Sequence, residues 1–150
     1  MKKLSTGLVA AGLLAVSSLC FADNDIAGKW VTIDDATGFK KAVVEIKKDG
    51  NGVYSGTIIQ ILPRPNYVPK ALCDNCAGAL KGKPILGMTI LNGMKKSATR
   101  ENTYEGGTVV DPLSGKVYKS TIRNTTANRL TLRGFVGFEA LGRNQTWIRQ

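Results

Sequence analysis

Turn-forming residues punctuate this chain at short, nearly even intervals, and no helical period survives between them. Asp34-Asp35-Ala36-Thr37-Gly38, Lys48-Asp49-Gly50-Asn51-Gly52 and Asp111-Pro112-Leu113-Ser114-Gly115 each join short polar side chains, which bond to their own backbone, with a glycine that accepts positive φ. The segments between such signals are too short for amphipathic helices. Phe39 to Lys47 sets Ala42, Val44 and Ile46 on one face and Lys41, Val43, Glu45 and Lys47 on the other, the period of two of a half-buried strand. Strands are expected at 28–33, 39–47, 53–62, 85–94, 106–111, 116–123, 129–138 and 143–149, with Gly56 marking a bulge or bend. About eight short strands at this spacing specify an all-β antiparallel barrel or sandwich. As a barrel, that number encloses just enough room for packed side chains or one small ligand.

Residues 63–84 break the rhythm. They hold Pro63, Pro65, Pro69 and Pro84 together with Cys73 and Cys76, and they read as one long loop. Loops of this length inside a compact domain are commonly functional, so this one is expected to cover a mouth of the barrel.

The first residues address a compartment. Lys2-Lys3, an apolar run from Leu8 to Leu19 and Cys20-Phe21-Ala22 follow the order of a bacterial secretory signal peptide. The run is shorter than the ~20 residues a membrane span needs, which disfavours an uncleaved anchor. Leu19 before Cys20 disfavours lipid attachment there. The expectation is a signal peptide over 1–22 and a single periplasmic or secreted domain over 23–150, with no transmembrane span after signal removal.

The chain carries 21 Lys and Arg against 11 Asp and Glu, a net +10. Losing Lys2 and Lys3 with the leader still leaves a strong positive excess. In an exported protein that excess points to anionic envelope surfaces or acidic small molecules rather than to nucleic acid. The charges are scattered, and no block of like charge forms a tail. Histidine is absent from the sequence, which removes the commonest general base and metal ligand.

Cys73-Asp74-Asn75-Cys76 is the sharpest local motif. Two thiols without histidine fall short of the about four ligands of a zinc site, so no metal and no cofactor is expected. A redox pair wants an electropositive helix N-terminus, whereas Asp74 beside the thiols would raise their pKa. A structural disulfide formed after export is the favoured reading. Gly28-Lys29-Trp30 and Arg143-Asn144-Gln145-Thr146-Trp147-Ile148-Arg149 form a second constellation. First and last strands of a closed meander are neighbours, so Arg143 or Arg149 is expected over the Trp30 ring, plugging one end beside Gly28. Tyr54, Tyr118 and Trp147 are candidates to line a ligand space. Arg123, Arg133 and Arg143 would hold an anionic head if they faced inward, but the alternation of Arg129, Thr131 and Arg133 with Leu130 and Leu132 turns Arg133 outward. No acyl-transfer elbow or phosphate-binding loop is present, and no catalytic residue is assigned.

Gly28-x-Trp30, Asp35-x-Thr37-Gly38, Cys73-x-x-Cys76, Gly87-Met88, Gly107, Asp111-Pro112-x-x-Gly115-Lys116-x-Tyr118, Leu132-x-Gly134 and Gly142-Arg143-x-Gln145-x-Trp147 recur here in order. Together they resemble a bacterial exported family known as domain of unknown function 2147. Phe135, where a tyrosine or similar aromatic is expected, is the one departure. The resemblance implies an eight-stranded antiparallel meander closed into a lipocalin-like, calycin-type barrel, and with it a small apolar or amphipathic ligand. It brings no activity and no named ligand. The function expected from the whole is exported small-molecule binding. The alternatives are an envelope interaction protein with a filled barrel and basic surface and, behind both, a thiol–disulfide enzyme.

Overall fold

The computed structural model describes residues 25–150. The signal peptide expected over 1–22 lies outside the described residues. Eight strands follow one another: β1 Gly28–Ile33, β2 Lys40–Lys48, β3 Val53–Ile61, β4 Thr89–Lys96, β5 Thr103–Val110, β6 Val117–Thr126, β7 Arg129–Phe135 and β8 Arg143–Arg149. Each pairs antiparallel with the next, and β8 returns to β1 through Trp30↔Arg149, Val31↔Ile148 and Thr32↔Trp147, closing the barrel. Closure satisfies the strand edges that an open sheet would leave unpaired.

Small irregularities curl the sheet. The register shifts between Val43 and Val44, on both sides of Gly56, and between Tyr104 and Gly107. An extra residue in one strand bends it and sharpens its twist, which is how a short meander turns fast enough to close. Gly56 is thus the bend its position in the sequence suggests.

Several boundaries differ from the periodicity. Ile85 and Met88 are buried but belong to the loop, and β4 begins at Thr89. Their apolar side chains pack down onto the barrel end, which mimics the pattern of a strand. β5 starts at Thr103 because Thr103 and Tyr104 are buried; a bulge at Gly106-Gly107 hides the alternation. β7 stops at Phe135, since Val136 and Phe138 are exposed.

An up-and-down barrel has two ends. The β1–β2, β3–β4, β5–β6 and β7–β8 connections share one, the loop end. The other receives Asp25 to Ala27 and the β2–β3, β4–β5 and β6–β7 turns. The interior holds Trp30, Trp147, Tyr54, Tyr104, Leu91, Met94, Ile122 and Leu130, each at 2 % exposure or less. They form one apolar cluster with Ile58, Leu132, Cys73, Cys76, Ile85 and Met88. Side chains from all eight strands therefore meet in one core.

Candidate functional site

The end opposite the loops is plugged by residues from both termini of the barrel. The Arg149 guanidinium carbon sits 4.2 Å from the Trp30 ring centroid. The same guanidinium donates to the carbonyls of Ala127 (2.7 Å), Ala27 (2.9 Å) and Asp25 (2.8 Å). Trp30 Nε1 donates to the Ile26 carbonyl at 2.8 Å. Gly28 adopts φ +129°, and a Cβ there would lie 2.7 Å from Arg149 Nη1. That close approach explains the glycine: the cation fills the place of its missing side chain. Of the two arginines considered for this contact, the structure selects Arg149. Arg143 opens β8 opposite Gly134 and is exposed at the loop end, a strand's length from Trp30.

Beneath Trp30 lies a polar cluster that periodicity does not reveal. Tyr54 donates its hydroxyl to Asp25 Oδ2 at 3.1 Å, and its ring meets that of Tyr104 edge to face at 5.0 Å. Burial, with the Tyr54 hydroxyl and Asp25 nearby, pushes the Tyr104 hydroxyl up to about 12. A raised folded-state value means that the stabilising contribution is complete below the ordinary tyrosine range and is lost as pH climbs from about 10 through about 12. Urea unfolding should therefore show an alkaline loss of at most about 3 kcal/mol over that interval. In Tyr104→Phe the alkaline loss should be smaller; an identical alkaline profile would remove Tyr104 from this role.

The three residues expected to line a ligand space lie at different depths of the barrel. Tyr54 and Trp147 are buried within the apolar cluster, and Tyr118 lies half-buried over Gly134.

At the loop end Cys73 and Cys76 are joined as a disulfide with Cα atoms 5.4 Å apart. Both are buried, and Cys73 Sγ rests 3.0 Å from the Pro112 carbonyl oxygen of the β5–β6 turn. Asn75 Nδ2 donates to the Leu113 carbonyl at 2.9 Å. The long loop therefore reaches across to the β5–β6 turn, and its Ile85 and Met88 close this end over the core. The loop expected to cover a mouth of the barrel packs against this end through Cys73, Cys76, Ile85 and Met88.

Two grooves lie outside the barrel. One, about 510 Å³, runs between the long loop and β4, with Leu80, Leu86, Met88 and Lys83 among its walls. The other, about 590 Å³, lies on the outer face of β6, β7 and β8 against the Glu139–Leu141 turn. Arg123 and Arg133 both line it, facing outward as the alternation with Leu130 and Leu132 implies. Arg100 pairs with Glu105 and, at 3.2 Å, with Glu139, tying the β4–β5 turn to the β7–β8 connection. Among the described residues no group of three or more His, Cys, Asp or Glu side chains is placed to hold a metal ion.

Residues 28–149 match the model of a family described as "Uncharacterized protein conserved in bacteria (DUF2147)". The chain belongs to this family. Comparison with curated proteins gave no match. Among solved structures the chain is similar to protein HP1028 of Helicobacter pylori, described as belonging to the lipocalin family. The TM-score is 0.68 at 19% identity, over 84% of this chain and 83% of that one. This likeness establishes the lipocalin-like fold of the family member described here. A bacterial family, a disulfide and the lack, among the described residues, of a helix long and apolar enough to cross a membrane are compatible with export.

Proposed function

We propose that this protein is exported to the bacterial envelope and works by its outside. The closed barrel is the scaffold, and the loop end is a recognition face for anionic amphipathic surfaces of the envelope. The observation that carries this reading is the distribution of exposed apolar side chains. Phe39, Tyr67, Val68, Leu72, Leu86 and Val136 all belong to connections of the loop end, and Val68 is 88% exposed. Exposed lysines stand among them: Lys40, Lys70, Lys81, Lys83 and Lys116. Asp35 and Asp74 are the exposed acids of that end, fewer than the bases. Apolar tips among cations suit a surface whose headgroups are anionic and whose deeper layer is apolar.

The test is co-sedimentation of the exported protein with phosphatidylglycerol vesicles and with phosphatidylcholine vesicles. Binding is expected to the anionic vesicles, to weaken with added salt, and to fall roughly tenfold in Val68→Asp/Leu86→Asp, a loss of about 1.4 kcal/mol. Equal binding to both vesicle types, or to neither, would defeat the reading.

The lipocalin-like fold favours a second reading, a small amphipathic ligand. Its seat would be the groove between the long loop and β4, where Leu80, Leu86 and Met88 would take an apolar body and Lys83 an acidic head.

A further inference from the structure

The outer groove on β6, β7 and β8 differs in kind from the loop end. Its walls are Thr121, Arg123, Thr125, Thr131, Arg133 and Asn144, completed by Glu139 and Ala140. Ala140 is its one wall residue without a polar side chain, so hydrogen-bonding groups stand along the whole groove.

The two arginines are held close by the strand register. Arg123 stands opposite Thr131 and Arg133 opposite Thr121. Arg123 and Arg133 are therefore diagonal neighbours on one face of an antiparallel pair, with Cα atoms about 7–8 Å apart. Side chains of that length can converge on a single group.

The two guanidinium groups are prepared differently. Arg133 is fixed: Nε donates to the Glu139 carbonyl at 2.6 Å, Nη2 to the Ala140 carbonyl at 2.8 Å and Nη1 to Asn144 Oδ1 at 2.7 Å. All three acceptors are neutral, so its charge is oriented without being cancelled. The nearby carboxylate, Glu139, is instead committed to Arg100 at 3.2 Å. Arg123 is exposed, and no ion pair joins it or Arg133 to a carboxylate among the described residues. Two like charges side by side repel, and Arg123 is exposed to solvent on the groove wall. An anion between them would relieve that repulsion.

We infer that this groove binds a phosphate group carried on a polar molecule, such as a phosphorylated sugar. Arg133 supplies a preset fork of donors, Arg123 closes over the phosphate from β6, and the threonine hydroxyls and Asn144 amide supply donors and acceptors to the polar remainder. The same phosphate chemistry could be presented by a free phosphomonoester or by a phospholipid headgroup. A groove on the barrel wall with hydrogen-bonding groups along it, away from the apolar tips of the loop end, favours the first.

The experiment is an amide-shift titration of the exported protein with inorganic phosphate, with glucose 6-phosphate and, as a control, with sodium chloride at matched ionic strength. Phosphatidylglycerol vesicles form a separate arm. Saturable shifts are expected at Thr121, Arg123, Thr131 and Asn144 with both phosphates and not with chloride. Glucose 6-phosphate should bind at least as tightly as inorganic phosphate. Arg123→Gln should weaken both about tenfold while leaving the unfolding midpoint unchanged, because Arg123 is exposed to solvent on the groove wall. Vesicle binding that survives Arg123→Gln assigns the site to soluble phosphates; vesicle binding lost with it assigns it to headgroups and overturns the phosphosugar assignment. Shifts reproduced by chloride, shifts confined to the loop end, or an unchanged affinity in Arg123→Gln would overturn the site itself. Failure of the loop-end variants in the vesicle assay leaves these readouts unaffected, so the two proposals fail separately.

Discussion

Replacing Trp30 by Ala is expected to cost about 3–5 kcal/mol of stability, a large share of the 5–15 kcal/mol typical of a domain. Trp30 is fully buried and is one of only two tryptophans in the sequence. Removing its ring leaves a void in a cluster whose neighbours, Leu91, Ile46 and Val44, are themselves fully packed and cannot collapse far. Two further losses follow. The Ile26 carbonyl loses its indole donor, and the Arg149 cation loses the ring 4.2 Å beneath it. Arg149→Ala should cost less, about 2–3 kcal/mol, since it removes charge-assisted bonds to three carbonyls that water can then reach. Urea unfolding followed through Trp147 reads both variants. A Trp30→Ala midpoint within ~0.5 kcal/mol of the parent, the range of surface substitutions, would mean that the plug does not hold the barrel shut.

Gly115→Ala should be the most damaging single methyl added to the loop end. Gly115 closes the Asp111–Gly115 turn by donating to the Asp111 carbonyl at 2.8 Å, and its φ is +73°. An L side chain in that region costs of order 1–3 kcal/mol. The larger effect is steric. A Cβ at Gly115 would fall on the Asn75 carbonyl group and lie 2.7 Å from the Cys76 nitrogen. Those are backbone atoms in a short disulfide-closed loop, so they cannot swing aside as a flexible side chain would. The long loop must lift, which breaks the Asn75 bond to Leu113 and uncovers Cys73 and Cys76. The expected total is about 3 kcal/mol or more. Limited proteolysis between Pro63 and Pro84 should quicken, and the disulfide should reduce faster. A variant as resistant as the parent in both assays would show that the loop is not seated on the β5–β6 turn.

These two sites illustrate different degrees of legibility. The Gly28-Lys29-Trp30 start and the arginine-bearing final strand could be read together because closing a meander necessarily makes its ends neighbours. Sequence spacing could not choose between Arg143 and Arg149, since both lie on the same strand and only the direction of β8 decides which one reaches Trp30. The long loop was visible as an interruption of period two. Its landing place was not, because Gly115 and Asn75 are brought together by the barrel rather than by any local pattern.

The misplaced strand starts have the same cause. Ile85 and Met88 carry an apolar signal that says they are buried but not whether they are buried in a sheet or beneath a lid. The roles of Tyr54, Tyr118 and Trp147 turned on interior volume. An aromatic that faces inward reads identically whether it lines a cavity or packs against Tyr104, Leu91 and Met94 from other strands. Arg123 and Arg133 were legible as outward-facing residues. Their convergence on one groove was not, since it depends on the β6–β7 register and on Glu139 being drawn off by Arg100.

The sequence by itself determined what is set by short-range rules: the alternation of faces, the turn chemistry, the number and order of strands, the strong positive charge and the pairing of Cys73 with Cys76 three residues away. Tertiary structure alone decided what depends on distance across the fold. Closure selected Arg149, side chains from every strand were gathered into one buried cluster, and strand register put two uncancelled cations side by side on the outer wall. Local propensities act over a few residues, whereas packing volume and charge pairing are properties of residues that meet only once the barrel has closed.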